Sequence, residues 1–547
     1  MTSALSVWGW GRALLLVAPG VSNAAISPLR PQSADFGLDD RVVRVWAGSG
    51  FLCCASQMRD AWVEIASWKQ KKEAMNRRTL LTGAALSSLQ LAAGSCGLAA
   101  MSNLLPAMAP TPLLGNRFVT FCIMVRTTPW EVSRDVKLLA RDESSWHTLD
   151  GVRSMREAFA RHNPDGRLTW GFTLNALEDK RLNYEQIRAY AVECHHRYGD
   201  EVSYFPGYFP AMYLPRARIN REMTEAIQII TGFVGNGYRP QAIMGGFLSA
   251  NNLQYLAEKE NIHTAHAVIW SQEDVDGGGA DGSPSYPFYP SKQHFCKPAQ
   301  NESDFIDCVN LDGWTMDFIC ARRAGSLGHE ITGYNSRRGV GPIETYIGWG
   351  LDLGHREVMH TQSIHFDDGF ERNRFGWVTN IWEAQLVGEF GKDLICSALD
   401  MWVAGTKKRW PDTQFVPFGE FGAIWKKQYA NNSDWKYSFV ERGSGLGDSY
   451  NNLEIKWFMN RNLRLALLRD WQRKTPEMVI DFTRYDLPAH EPADPDPQHP
   501  AKDWSLMNRI NQKGLRPQDR PTLMGDLSRE DQDFIHKALP YFTAGGG

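Results

Sequence analysis

Several features that would give this chain an obvious chemistry are missing. Its nine cysteines contain no C-x-x-C pair, which argues against a zinc ribbon or a thioredoxin-like dithiol. No two histidines stand four residues apart; His355 and His360 are five apart. The one-turn histidine pair of many helical metal sites is therefore absent, and the sequence predicts neither a metal site nor a cofactor. The formal net charge is only −3, so no basic footprint points to nucleic acid. No internal repeat or heptad pattern interrupts an ordinary globular composition of 43% hydrophobic and 22% charged residues. What the chain has in plenty is aromatic side chains, with 20 Trp and 17 Tyr. Most large aromatics fill cores, but a ring at a strand end can also lie against the C–H face of a sugar.

Residues 1–74 lack a periodic pattern and read as an extension that is not part of the fold. Residues 75–114 read as an export signal and linker. They open on MNRRTLLTGAALSSLQLAAGSCGLAA, with paired Arg77 and Arg78 ahead of an apolar stretch and small residues. This is similar to the twin-arginine type, and it places the expected start at Met75 and the protein outside the cytoplasm. Cys96 is a candidate lipidation site. The apolar stretch is too short and glycine-interrupted for a strong membrane span, so no span is expected once the signal is removed.

From 115 to 430 apolar runs alternate with helical patterns. FVTFCIMV is a continuous apolar run, as expected of a buried parallel strand. GVRSMREAFARH has helical spacing, and NYEQIRAYAVECHHRYG reads as a helix stopped by Gly199. LTWGFTLNAL, EVSYFPGYF, AIMGGFL and HTAHAVIW continue the strand series. DCVNLDGWTMDFICA contains a sixth strand or a short helix, EVMHTQSIHF is a seventh strand and TQFVPFGEF an eighth. Eight such alternations predict a (β/α)8-type barrel. Residues 431–547 change character and predict a smaller C-terminal β-rich domain, with KYSFVERG, LEIKWFMN, LRLALLRDWQ and EMVIDFTRYDL as strands.

The stretches GGFLSANNLQYLAEKENIH, IWSQ, YPFYPSKQHFCKPAQ, DFIDCVNLDGWTMDF, NSRRGVGPIET and DFTRYDLPAHEP carry a resemblance. They resemble a family of exported bacterial proteins known chiefly as paired domains of unknown function. The likeness runs from about Arg117 to the C-terminus. It implies a (β/α) barrel of the broad glycoside hydrolase/deacetylase kind with a C-terminal appendage, and an oligosaccharide or polysaccharide as partner.

Barrel enzymes carry their chemistry at the carboxyl ends of the strands, and glycoside hydrolysis needs two carboxyl groups flanking the bond. Glu420, in Phe418-Gly419-Glu420-Phe421-Gly422, is the leading acid on this reading, with Asp367 or Asp368 as its partner; an alternative role for Glu420 is a structural ion pair with an arginine. Asp312 is a further acidic option. Trp270, Gln272, Asn251, His365, Asp312 and Trp314 are expected to bind substrate. The loop following Trp270 is too long for an ordinary connection and reads as a binding loop. His365-Phe366-Asp367-Asp368-Gly369 also resembles the strand end of metal-dependent carbohydrate deacetylases, in which one Asp binds the metal. A non-catalytic glycan-binding protein is the third reading.

Overall fold

The computed structural model of the chain describes residues 111–128, 142–207, 210–244, 248–267, 282–313, 317–320, 341–495 and 521–540, with residues 499, 501, 504 and 506. Residues 105–547 cluster as one compact unit. The expected export signal, including Arg77, Arg78 and Cys96, lies outside the described residues, as do Trp270, Gln272 and Trp314. No described helix is long and apolar enough to cross a membrane.

The fold starts from β1 (Arg117–Val125), which is buried at every position but its first. A strand so uniformly apolar can only be central, covered on both faces. Helix α1 (Leu149–Arg161) follows. Its first turn is capped by Thr148, whose hydroxyl accepts the Gly151 N–H at 3.0 Å. Next come β2 (Thr169–Phe172), α2 (Leu182–Tyr198) and β3 (Glu201–Tyr204). Gly199 stops α2 at φ 79°, a left-handed conformation that favours glycine. Beyond α3 (Arg216–Val234) lie β4 (Ile243–Met244), α4 (Ala250–Tyr255) and β5 (Thr264–His266). A hairpin of β6 (Pro290–Ser291) and β7 (His294–Pro298) precedes β8 (Val309–Asn310).

The expected seventh strand is a helix. EVMHTQSIHF lies in α5 (Pro342–Ser363) and in the wider turn Ile364–Asp368 that continues it. Val358, Thr361, Gln362 and His365 are buried at helical spacing. Gln362 Oε1 accepts the Trp402 Nε1–H at 2.8 Å and the Thr406 hydroxyl at 3.2 Å. The strand in this region comes later, as β9 (Gly376–Glu383), which runs parallel to β1 from Arg117↔Gly376 to Met124↔Glu383. Helix α6 (Lys392–Arg409) leads to β10 (Gln414–Phe415) and α7 (Phe418–Gln428). The expected eighth strand, TQFVPFGEF, is thus reduced to two paired residues, because its Phe418 and Glu420 already belong to a helix.

The described strands pair in two parallel sheets. In one, β9, β1, β2 and β3 lie side by side, with β10 against the amino-terminal half of β1. In the other the order is β4, β5, β8. A mixed α/β fold is therefore present, although these residues do not pair as a closed ring of eight. After it come β11 (Lys436–Arg442), β12 (Leu453–Asn460), β13 (Leu463–Asp470), β14 (Met478–Arg484) and β15 (Thr522–Leu523), which form the expected antiparallel sheet in sequence order. Helix α8 (Arg529–Ala538) covers its far side through Ile535.

Among the described residues the tryptophans serve mainly as core. Trp170, Trp377, Trp382, Trp402, Trp425, Trp435, Trp457 and Trp504 are all essentially fully buried. Two internal ion pairs lock the layers. Arg156 holds Asp200 through two bonds of 2.7 and 2.9 Å beneath β2 and β3, and Arg464 holds Asp481 at 2.5 Å within the antiparallel sheet. Removing one partner of such a buried pair strands a charge and costs about 3–5 kcal/mol.

Candidate functional site

Parallel strands give the fold two unlike edges, and the three carboxyl groups expected to do the chemistry are on the amino-terminal one. Glu420 is in the first turn of α7, beside the starts of β2 and β3; the Phe418 N–H bonds Thr169 and the Gly419 N–H bonds Glu201. Arg167 grips Glu420 in a fork, with one bond at 2.7 Å. Asp367 accepts from Arg409 at 2.6 Å and from the Trp410 indole at 2.7 Å. Asp368 accepts from Arg372 at 2.8 Å and from the Val440 N–H at 2.7 Å. The neighbouring Phe366 carbonyl bonds Arg117, the first residue of β1. Each acid therefore serves an arginine at the base of the sheet. This corrects the expectation that Asp367 and Asp368 end a strand, and with it the likeness to a deacetylase strand end.

The expected binding residues divide. Asn251 is exposed on α4 and accepts the Asn220 amide at 3.2 Å, a surface tie between α3 and α4. His365 is buried, with Nδ1 2.7 Å from the Tyr286 hydroxyl, and burial drives its pKa down to about 3. It is a neutral hydrogen-bonding group within an aromatic cluster that includes Phe439. Asp312 is placed differently. It stands two residues past the end of β8, fully buried, and its carboxylate accepts the Ser283 hydroxyl. Arg464 donates to the Ser283 carbonyl at 2.7 Å, and the Tyr485 hydroxyl donates to the Gly282 carbonyl at 2.7 Å. The antiparallel sheet thus fixes the loop that faces Asp312.

The carboxyl-terminal edge holds further polar groups. Arg126, just beyond β1, reaches Glu143 at 2.7 Å and Glu383, the last residue of β9, at 3.6 Å. The Tyr184 hydroxyl donates to the Arg126 carbonyl at 2.8 Å. His147, driven by burial to a pKa of about 3, is neutral, and its Nε2 faces the Arg126 N–H at 3.4 Å. Beyond β2 and β3, Thr173, Asn175, Tyr204, Arg218 and Glu222 line a cleft of about 90 Å³. That is well below the few hundred Å³ of a typical ligand pocket, so the cleft can serve at most as a margin of a larger site.

A second acidic group was not foreseen. Asp317 follows β8, Glu357 lies in α5 and Glu441 in β11, and all three are buried. Asp317 Oδ1 accepts the Cys320 N–H at 3.0 Å, its Oδ2 takes the Ser449 hydroxyl, and Glu441 Oε1 accepts the Ile319 N–H at 3.0 Å. Among the described residues Glu441 Oε2 and both oxygens of Glu357 accept no hydrogen bond of full geometry, although Asp317 and Ser444 lie close to Glu357. Burial, then the Asp317 charge, pushes Glu357 up to about 9, and the same two causes hold Glu441 well above the carboxyl range. Asp317 lies in a motif that was noticed, GWTMDF, but its partners are far away in sequence. Glu357 fell in a supposed strand and Glu441 in the other domain, so no local pattern could have joined them.

Fold and site together define a mixed α/β protein whose buried acids gather where parallel strands meet an antiparallel sheet. A family model described as a domain of unknown function with a solved structure, DUF3863, matches residues 111–459, and a second, DUF3864, matches residues 464–542. The chain belongs to the DUF3863 family, and the junction between the two models falls in the β12–β13 turn, inside one sheet. A crystal structure from Parabacteroides distasonis, solved under the working description glycoside hydrolase/deacetylase, is 76% identical. The match covers 79% of this chain and 100% of that one, with a TM-score of 0.74. GH57-type branching enzymes from Pyrococcus horikoshii and Thermococcus kodakaraensis are 11% and 10% identical, with TM-scores of 0.32 and 0.34. The matches cover 56% and 54% of this chain and 70% and 69% of theirs; likenesses so slight carry no functional weight. Among curated proteins there is no match.

Proposed function

We propose that the protein is an exported carbohydrate-active enzyme that hydrolyses a glycosidic bond, with Asp312 and Glu383 as its carboxyl pair. The observation that carries this reading is their position. Asp312 lies just past β8 and Glu383 ends β9, both on the carboxyl-terminal edge, whereas Glu420, Asp367 and Asp368 lie on the other. On this reading the two parallel sheets are arcs of one (β/α) barrel. In support, a Cβ on Gly313 would meet Thr379 Cγ2 of β9 at 2.2 Å, so the chain leaving β8 touches β9. Between the sheets, Glu201 at the start of β3 accepts the Gln241 and Ala242 N–H groups ahead of β4, at 2.9 and 2.8 Å. The working description of the 76% identical relative agrees with a glycan substrate.

Arg126 gives Glu383 a cationic neighbour, which suits the carboxylate that attacks the anomeric carbon or activates water. Asp312 then donates the proton to the leaving oxygen. Purified protein is assayed on a panel of glycans for new reducing ends. Asp312→Asn and Glu383→Gln are each expected to lower turnover by about 10²–10⁴-fold with substrate binding retained. Binding without turnover on every glycan would favour the glycan-binding reading instead. Export is tested by cell fractionation of a chain begun at Met75: replacing Arg77 and Arg78 by lysine is expected to leave the protein in the cytoplasm.

A further inference from the structure

The cluster of Asp317, Glu357 and Glu441 takes no part in the reaction proposed above, and it is chemically incomplete. Three carboxyl groups meet away from water, and among the described residues no Lys or Arg forms an ion pair with any of them. The donors present are few: the Cys320 N–H and the Ser449 hydroxyl on Asp317, the Ile319 N–H with the Phe318 N–H close by on Glu441, and the Ser444 hydroxyl near Glu357. Among the described residues, Glu441 Oε2 and both oxygens of Glu357 meet no donor in full bonding geometry. Leaving such groups bare inside a protein is costly. A cation or shared protons must complete them.

Cys320 decides between these. One ligand atom each from Asp317, Glu357 and the Cys320 thiol lies within 4.8 Å of the others, the span of donors around a single ion. Glu441 lies beside Asp317 from the antiparallel sheet, its Oε2 unfilled by the described residues. Carboxylates alone would suit Ca²⁺, Mg²⁺ or Mn²⁺; a thiol among them shifts the preference to a softer ion. Three protein donors, one of them sulfur, fall within the range of ligands that Zn²⁺ accepts.

We propose that Asp317, Cys320 and Glu357 bind one divalent ion of the Zn²⁺ class. The ion fastens the segment after β8 to α5, and Glu441 of β11 holds the same segment through the Ile319 N–H, so the site sits where the α/β part meets the antiparallel sheet, a few residues from Asp312. The site is structural, and it stands or falls independently of the hydrolase reading. Binding to the folded chain alone raises its stability by mass action.

The test uses the full chain, stripped with a chelator and then titrated with ZnCl₂, MnCl₂, CaCl₂ or MgCl₂ by calorimetry. The expected result is one equivalent of Zn²⁺ bound more tightly than the other ions, with a rise in melting temperature. Asp317→Asn and Glu357→Gln are expected to weaken affinity by at least about tenfold. Should those variants fold poorly, Co²⁺ loading of the wild-type chain gives a second readout. Its thiolate-to-metal charge-transfer absorption should appear and be abolished by Cys320→Ser. Absence of saturable binding by all four ions overturns the proposal, as does binding that is indifferent to all three substitutions. Because each readout is independent of turnover, failure here leaves the Asp312/Glu383 proposal standing, and the reverse is equally true.

Discussion

With metal withheld by a chelator, protons must complete the Asp317–Glu357–Glu441 cluster, and the stability of the chain should then fall as pH rises. The sign follows from the direction of the shifts. Glu357 titrates near 9 in the folded chain and near the ordinary carboxyl value of 4.5 when unfolded. Between those values the native state keeps a proton that the unfolded state has lost, so rising pH favours unfolding. The slope is about 1.4 kcal/mol per pH unit for each proton retained. From pH 5 to 8 one such group accounts for roughly 4 kcal/mol, a large part of the 5–15 kcal/mol typical of a domain. Glu441, raised by the same causes, adds a second proton to the count. Urea titrations at several pH values, at constant ionic strength with chelator present, measure this directly. Glu357→Gln removes one titrating group, so its slope should be shallower than wild type by about one proton's worth, and the variant should be the more stable at pH 8. Parallel wild-type and variant lines across this range would refute the reasoning, because groups outside the cluster cancel in the comparison.

Three further outcomes are expected. Glu420→Gln loses only a half-exposed ion pair with Arg167, so it should cost no more than about 1 kcal/mol and leave turnover unchanged, as measured by melting and by reducing-end release. Gly313→Ala places a methyl 2.2 Å from Thr379 Cγ2 and against the Trp377 ring; thermal unfolding should register a loss of about 1–3 kcal/mol, and turnover should drop because Asp312 is the adjacent residue. Asp481→Asn leaves Arg464 buried without its counter-charge, and denaturant unfolding should show a loss of about 3–5 kcal/mol.

The strands were legible where burial was continuous. FVTFCIMV could only be a central strand, and the four β-strands from Lys436 to Arg484 alternate or run apolar between clear turns. EVMHTQSIHF misled because a short segment with apolar residues at mixed spacing fits both periods, and α5 won through Val358, Gln362 and His365 packing against α6 and the aromatic cluster. The same error carried Asp367 and Asp368 to a supposed strand end. Glu420 followed a different path: the glycines beside it suggested an open turn, but they lie in the first turns of α7, and the residue that claims it, Arg167, is 253 positions away. The alternative of a structural arginine pair for Glu420, weighed from the sequence, is the arrangement found. The acid cluster was invisible for a related reason. Its three members come from three segments, and only the folded chain makes them neighbours.

The central functional claim is that the chemistry belongs to the carboxyl-terminal edge of the parallel strands. The most direct measurement compares reducing-end release by Asp312→Asn and by Glu420→Gln on one glycan that the wild-type protein cleaves. Near-total loss in the first with wild-type turnover in the second is the predicted result. Activity that survives in Asp312→Asn and disappears in Glu420→Gln would contradict the account.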